Sequence, residues 1–164
     1  MARITYTDLP SIRETHKNKK IIFCSGVFDL THAGHALFFD ECKKYGDILV
    51  VVVGCDENIK KYKSGRPILN EEVRIKMVDS LKPVDYVLFD GPVPADNLNA
   101  YLEPLFAGLH PDVYVVNKDA FDLFYREEIA KKHKIQFVVL DRWCPPEFEN
   151  ISTTNIIEKI KKTI

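Results

Sequence analysis

The sequence predicts an α/β fold built on a doubly wound, five-stranded parallel sheet in three α/β/α layers. Three observations predict it. Apolar runs of strand length recur along the chain with helical patterns between them, which is the mark of βαβ connections. The run Asp47–Val53 (DILVVVV) is continuously apolar after its first residue, as a strand covered on both faces should be. The run Ile21–Cys24 leads through a glycine-bearing turn directly into a helical pattern, where such sheets place ligands at strand carboxyl ends.

The elements follow in order. Residues 1–18 read as a polar lead-in with a short helix around Leu9–His16. Strand Ile21–Cys24 precedes helix Ala33–Tyr45, which Gly46 ends because glycine accepts the left-handed conformation past a helix terminus. Strand Asp47–Val53 is followed by a basic loop carrying Lys60, Lys61, Lys63 and Arg66. Helix Asn70–Leu81 opens on an Asn cap, with Glu71 and Glu72 near its positive end. Its stripe of Val73, Met77 and Leu81 is expected to face the core. Strand Asp85–Phe89, helix Asp96–Glu103 (stopping before Pro104), strand Asp112–Val116, helix Asp119–Lys132 and strand Ile135–Leu140 come next. Helix Ser152–Lys162, capped by Ser152 and burying Ile156, Ile157 and Ile160, closes the set. No repeat, low-complexity tract or linker interrupts the pattern, so residues 1–164 are expected to form one domain.

Composition narrows the function classes. The chain is 46% hydrophobic and 29% charged, which predicts a packed core rather than disorder. A net charge of −1 gives no electrostatic case for nucleic acid, although the local basic cluster suits a small polyanion. Cys24, Cys42, Cys55 and Cys144 have neither CxxC nor zinc-ligand spacing, so they read as plain thiols of a reducing compartment. No signal peptide is apparent, and the longest aliphatic run is too short to span a bilayer, so a soluble, cytoplasmic protein without membrane partners is expected.

The residues that carry chemistry lie first at Gly26–His35 (GVFDLTHAGH). Gly26 lets the backbone turn close to a ligand, and Gly34 opens the first turn of the following helix. A helix N-terminus after a strand attracts anions, and His32 and His35, three apart, can both donate to one phosphate. Asp29 is placed either to pin the turn or to help hold a metal. Ile151-Ser152-Thr153-Thr154 supplies a second hydroxyl-rich helix start, and Lys63–Arg74 a basic loop and an arginine. The absence of G-x-G-x-x-G after the first strand sets aside a dinucleotide-binding dehydrogenase.

The first motif resembles the G-x-F-D-x-x-H-x-G-H signature of the cytidylyltransferase-like nucleotidyltransferases, with all six fixed positions matched. The resemblance runs from about residue 20 to the C-terminus and implies a Rossmann-like fold. It also implies an enzyme that transfers a nucleotidyl group, CMP or AMP, from CTP or ATP to a small phosphorylated acceptor and releases pyrophosphate. Ser152, Thr153 and Thr154 are similar to the family's I-S-T-T element. Lys63 matches its loop lysine across a one-residue gap, leaving Lys60 as the alternative, and Arg74 matches the arginine that follows. By resemblance His32, His35, Lys63 and Arg74 are the catalytic set. Gly26, Val27, Phe28, Asp29, Gly34, Lys60, Asp119, Arg142, Ile151 and Ser152–Thr154 bind the nucleotide.

Three branches compete: the adenylyltransferase domain that activates heptose 1-phosphate, the glycerol-3-phosphate and choline- or ethanolamine-phosphate cytidylyltransferases, and the archaeal FAD synthetases. The chain departs from them at Asn117–Ala120, where a glycine-bearing turn is replaced, and at Trp143–Phe148, an apparent insertion after Arg142. Asn150 stands where many relatives have glycine. A nucleotide-binding module without catalysis is the alternative. Mg²⁺ is expected with the triphosphate, no protein metal site is expected, and the family implies a homodimer.

Overall fold

Six parallel strands form the central sheet: β1 (Ala2–Arg3), β2 (Ile21–Gly26), β3 (Ile48–Val53), β4 (Tyr86–Phe89), β5 (Val113–Asn117) and β6 (Gln136–Leu140), in the order β1-β4-β3-β2-β5-β6. The computed structural model describes residues 2–142, 144–148 and 151–163. The expected strands make up β2 to β6, and β1 adds a two-residue edge strand beside β4. The chain winds outward from β2 to β4, then crosses back to β5 on the other side of β2. The reversal leaves a crevice at the carboxyl ends of β2 and β5, the place where open α/β sheets bind ligands.

Helices α1 (Leu9–Thr15), α5 (Leu102–Leu109) and α6 (Leu123–Lys132) cover one face. Their Leu9, Leu105, Phe106 and Ile129 pack on Ile21, Phe23 and Tyr114 of the sheet. On the other face, α2 (Ala33–Lys43) and α4 (Glu71–Asp79) put Phe39, Cys42, Ile75 and Val78 against Ile22, Cys24 and Val51. The period of two along β2 thus sends Phe23 and Cys24 into different layers. All six residues of β3 are buried, as its unbroken apolar run requires. Helices α3 (Asp56–Tyr62) and α7 (Thr153–Thr163) complete the chain, with 3₁₀ turns at Tyr6–Asp8 and Pro146–Phe148.

Aspartates just before three strands fasten the sheet's opposite edge. Asp47 accepts from the Lys20 amide at 2.8 Å, Asp85 from the Leu49 amide at 2.7 Å and Asp112 from the Ile21 amide at 2.7 Å. Each carboxylate satisfies a backbone donor at the start of a neighbouring strand, where a buried amide without a partner is costly.

Several expectations are corrected. Lys60 and Lys61 lie on α3, not in a loop, because Asn58 and Ile59 of that turn are buried. In α4 the buried residues are Arg74, Ile75 and Val78, while Val73 and Met77 remain 41% and 43% exposed. Of the two apolar stripes available, the one flanking the arginine faces inward. Pro104 does not end a helix: it is the third residue of α5, where the first-turn N–H it lacks has no intrahelical partner to lose. Helix α6 begins at Leu123 behind an Asp122 cap, so Asp119 and Ala120 occupy a turn closed by Ala120 N–H on Asn117 O at 2.9 Å. Ser152 caps α7 as expected, accepting from the Asn155 amide at 3.1 Å, but Ile156 and Ile157 are only partly buried and Ile160 is 50% exposed. Trp143, Glu149 and Asn150 lie outside the described residues.

Candidate active site

A cavity of about 900 Å³ opens at the carboxyl ends of β2 and β5. Its lining includes Gly26, Val27, Phe28, Asp29, His32, Gly34 and His35 from the first motif. From distant parts of the sequence come Lys63, Asp119, Arg142, Ile151 and Ser152–Thr154. The Thr153 hydroxyl donates to the Asp29 carbonyl at 2.8 Å and binds the start of α7 to the first turn.

The histidines are arranged by each other. His32 caps α2, its Nδ1 accepting from the Gly34 amide at 3.1 Å, and its own amide donates to His35 Nδ1 at 3.3 Å. Their rings stack with centroids 3.9 Å apart. With both Nδ1 atoms used as acceptors, the proton of each neutral ring belongs on Nε2, which leaves two N–H donors for a ligand. Gly34 is required by this packing: a Cβ there would stand 2.9 Å from the His32 ring and 3.3 Å from the Ile151 carbonyl. Phe28 holds a left-handed backbone (φ 51°), with its buried ring against His35 and Phe39.

Burial lowers the pKa of His35 to about 3, and the neighbouring His32 and Arg142 add to the shift. His32 is lowered too, by burial first and then by Arg142. Between pH 6.5 and about 3 the unfolded chain therefore binds more protons at His35 than the folded protein does. Its stabilising contribution is complete above pH 6.5 and falls away through that window. Thermal melts from pH 7 to pH 4 are expected to show a smaller acid-induced loss of Tm in His35→Gln than in the unaltered protein; equal slopes would refute it.

Asp29 is 3% exposed, and both its oxygens are engaged. Oδ1 accepts from the Leu30 and Leu69 amides at 3.1 and 3.0 Å, and Oδ2 from the Ile68 amide and Arg66 at 2.8 and 3.2 Å. Burial raises its pKa, but these donors outweigh burial and the net shift is downward. Of the two roles open to Asp29, the contacts are those of an anchor: it ties the basic loop to the first turn. Among the described residues no three metal-ligating side chains converge.

Lys63 ends α3 at the cavity rim, its pKa lowered by partial burial and then by Arg66. Arg142 pairs with Asp119 at 2.6 Å, so two residues from separate loops form one wall. Two expected site residues do not line the cavity: Lys60, exposed on α3, and Arg74. Arg74 is fully buried. Its guanidinium donates to the Leu69 carbonyl at 3.0 Å, the Val27 carbonyl at 2.6 Å and Asp56 at 2.7 Å. Direct contact with a triphosphate is thus not its role in this geometry; it braces the turn that carries the histidines.

The sequence reading missed Ser25, Asp90, Asn99, Tyr101 and Arg126, all of which line the cavity. They belong to no local motif, and only the fold brings them together. Among the described residues no helix is long and apolar enough to cross a membrane.

Comparison with known proteins agrees with this geometry. A family model described as Cytidylyltransferase-like matches residues 23–159. The bifunctional protein HldE of Alcanivorax borkumensis is 36% identical over 149 residues, covering 89% of this chain but 29% of that protein. The chain therefore spans under a third of the HldE proteins it matches. The FAD synthase of Aciduliprofundum boonei is 38% identical over 142 residues, 85% of this chain and 89% of that one. A lipopolysaccharide core biosynthesis protein from Thermoplasma volcanium superposes with a TM-score of 0.63 at 26% identity, over 77% of this chain and 99% of that one. Pantothenate synthetase from Thermus thermophilus, at 13% identity and a TM-score of 0.66, shares the fold alone. With the paired histidines, the α7 start and the family match in agreement, the chain belongs to the cytidylyltransferase-like family of nucleotidyltransferases.

Proposed function

We propose that the protein transfers a nucleotidyl group, AMP or CMP, from ATP or CTP to the phosphate of a small phosphorylated acceptor, releasing pyrophosphate. The observation that carries the reading is the meeting of two helix starts, α2 with its stacked histidines and α7 with Ser152–Thr154, on one cavity and bonded through Thr153 and Asp29. Two positive helix ends suit a polyphosphate better than a single anion.

An acceptor phosphate oxygen attacks the α-phosphorus; the bond to the β-phosphate oxygen breaks and pyrophosphate leaves with its electron pair. The nucleophile is already an anion at neutral pH and needs no strong base. The barrier is charge, so catalysis rests on positioning and neutralisation. His32 and His35 offer Nε2–H donors to the α-phosphate and the leaving oxygen. Lys63, Arg142 and the first turn of α7 hold the remaining phosphates. Mg²⁺ would accompany the triphosphate as its counterion; among the described residues no three metal-ligating side chains converge.

An FAD synthase-type reaction is the second reading, supported by the 38% identity to such a protein over most of both chains. Pyrophosphate release is expected with ATP or CTP, Mg²⁺ and one of a panel of sugar, polyol and flavin phosphates. A protein that binds these triphosphates, raising its Tm, yet turns over none of the panel is instead a binding module.

A further inference from the structure

Arg126 differs from every other arginine of the chain. Arg3, Arg13, Arg66, Arg74 and Arg142 each pair with a carboxylate, on Glu72, Asp112, Asp29, Asp56 and Asp119. Among the described residues Arg126 has no carboxylate within ion-pair distance, although it is partly buried and lines the cavity. Its partners are neutral oxygens. Nε donates to the Phe121 carbonyl at 2.7 Å, and Nη1 to Ser25 Oγ at 3.2 Å, to Tyr101 Oη at 3.4 Å and to Tyr114 Oη. Tyr101 in turn donates to Ser25 Oγ at 2.9 Å, which fixes the cluster at the end of β2. A guanidinium cannot shed its proton, so this charge is held in place without a counter-ion.

Asn99 adds an independent sign of a missing ligand. It is 2% exposed, it lines the same cavity, and its Oδ1 has no hydrogen-bond partner. A buried acceptor without a donor is costly unless a ligand supplies one. Asp90, also on the lining, accepts from the Cys55 amide at 2.8 Å through Oδ1. This part of the cavity therefore offers one anion clamp and oxygen acceptors beside it.

We infer that Arg126 and Asn99 form the acceptor subsite, with Arg126 on the acceptor's phosphate and Asn99 reading a neighbouring hydroxyl, so that the acceptor is a polyhydroxylated phosphate monoester. The inference rests on the nucleotidyl-transfer reading for the word acceptor, but the binding chemistry stands on these residues alone. Ser25 faces the same sheet layer as Phe23, whereas the histidines follow Gly26 on the other side of the strand end. The two substrates would thus approach from opposite sides of β2 and meet beyond its carboxyl end at Gly26, where a Cβ would stand 2.8 Å from the Phe28 ring.

The test is calorimetric titration of the whole protein with mannose 1-phosphate, FMN and ethyl phosphate, each with a non-hydrolysable ATP or CTP analogue present, and of the analogue alone. Mannose 1-phosphate or FMN, both carrying hydroxyls, is expected to bind about 10-fold or more tightly than ethyl phosphate; which of the two binds identifies the source of the polyol. Arg126→Gln is expected to weaken that binding on the order of 100-fold, with Arg126→Lys intermediate, while analogue affinity stays within about twofold. Asn99→Leu is expected to abolish the preference over ethyl phosphate. Loss of analogue affinity in a folded Arg126→Gln protein would assign Arg126 to the triphosphate and overturn the inference, as would ethyl phosphate binding as tightly as the polyols. Intact Arg126-dependent binding without pyrophosphate release would instead defeat the nucleotidyl-transfer reading and leave the subsite standing.

Discussion

Replacing His35 with Asn, or His32 with Asn, is expected to lower kcat on the order of 100-fold, the usual cost of removing one donor aimed at developing charge. Asn is the informative substitute. At position 32 it remains a good helix cap and can still accept from the Gly34 amide, so α2 keeps its start. At position 35 its side-chain oxygen can replace Nδ1 as the acceptor for the His32 amide. In both cases the loss falls on Nε2–H. The double variant is expected to lose less than the product of the two, because the stacked rings act as one unit. Steady-state pyrophosphate release measures kcat, and a thermal melt separates catalytic loss from unfolding. A folded variant that keeps kcat within about twofold would remove that histidine from the chemistry.

The parts of the fold that were legible in the sequence are those whose cause is local. The uninterrupted apolar run of β3 shows its two-sided burial, and Asn70 marks the start of α4 by its side-chain cap. Gly46, expected as a left-handed helix end, instead follows α2, which stops at Lys43, and a Cβ there would stand 2.8 Å from the Lys20 carbonyl. The first motif was legible for the same reason: its glycines, histidines and helix start are contiguous. What was missed depends on partners far away in the chain. Strand β1 is two residues long and exists through its pairing with Tyr86 and Val87. Helix α3 is short and charged, and the burial of Asn58 comes from Gly91 and Val93 across 33 and 35 residues. Arg126 sits in a charged stretch, Tyr-Arg-Glu-Glu, that reads as a solvated helix face; Ser25, Tyr101 and Tyr114 give it meaning only once the sheet has formed.

Arg74, expected at the triphosphate, is instead buried beneath the first turn, and its replacement is the second large effect expected. Arg74→Met removes a buried guanidinium whose partners are two carbonyls and Asp56. Breaking a buried ion pair from one side costs about 3–5 kcal/mol; Asp56, 22% exposed, regains some water, so about 3 kcal/mol is expected. Denaturant unfolding should show this as a lower midpoint at unchanged m. A second consequence follows from the bond to Val27. With that carbonyl released, the turn from Gly26 to His35 loses a brace, and kcat should fall together with stability. Arg74→Lys, which keeps the charge but cannot reach three acceptors at once, should recover part of both. A direct triphosphate ligand would behave otherwise: Arg74→Met would raise the KM for the triphosphate and leave the unfolding midpoint where it was. The two outcomes differ because one role acts on the phosphate and the other on the backbone that presents His32 and His35 to it.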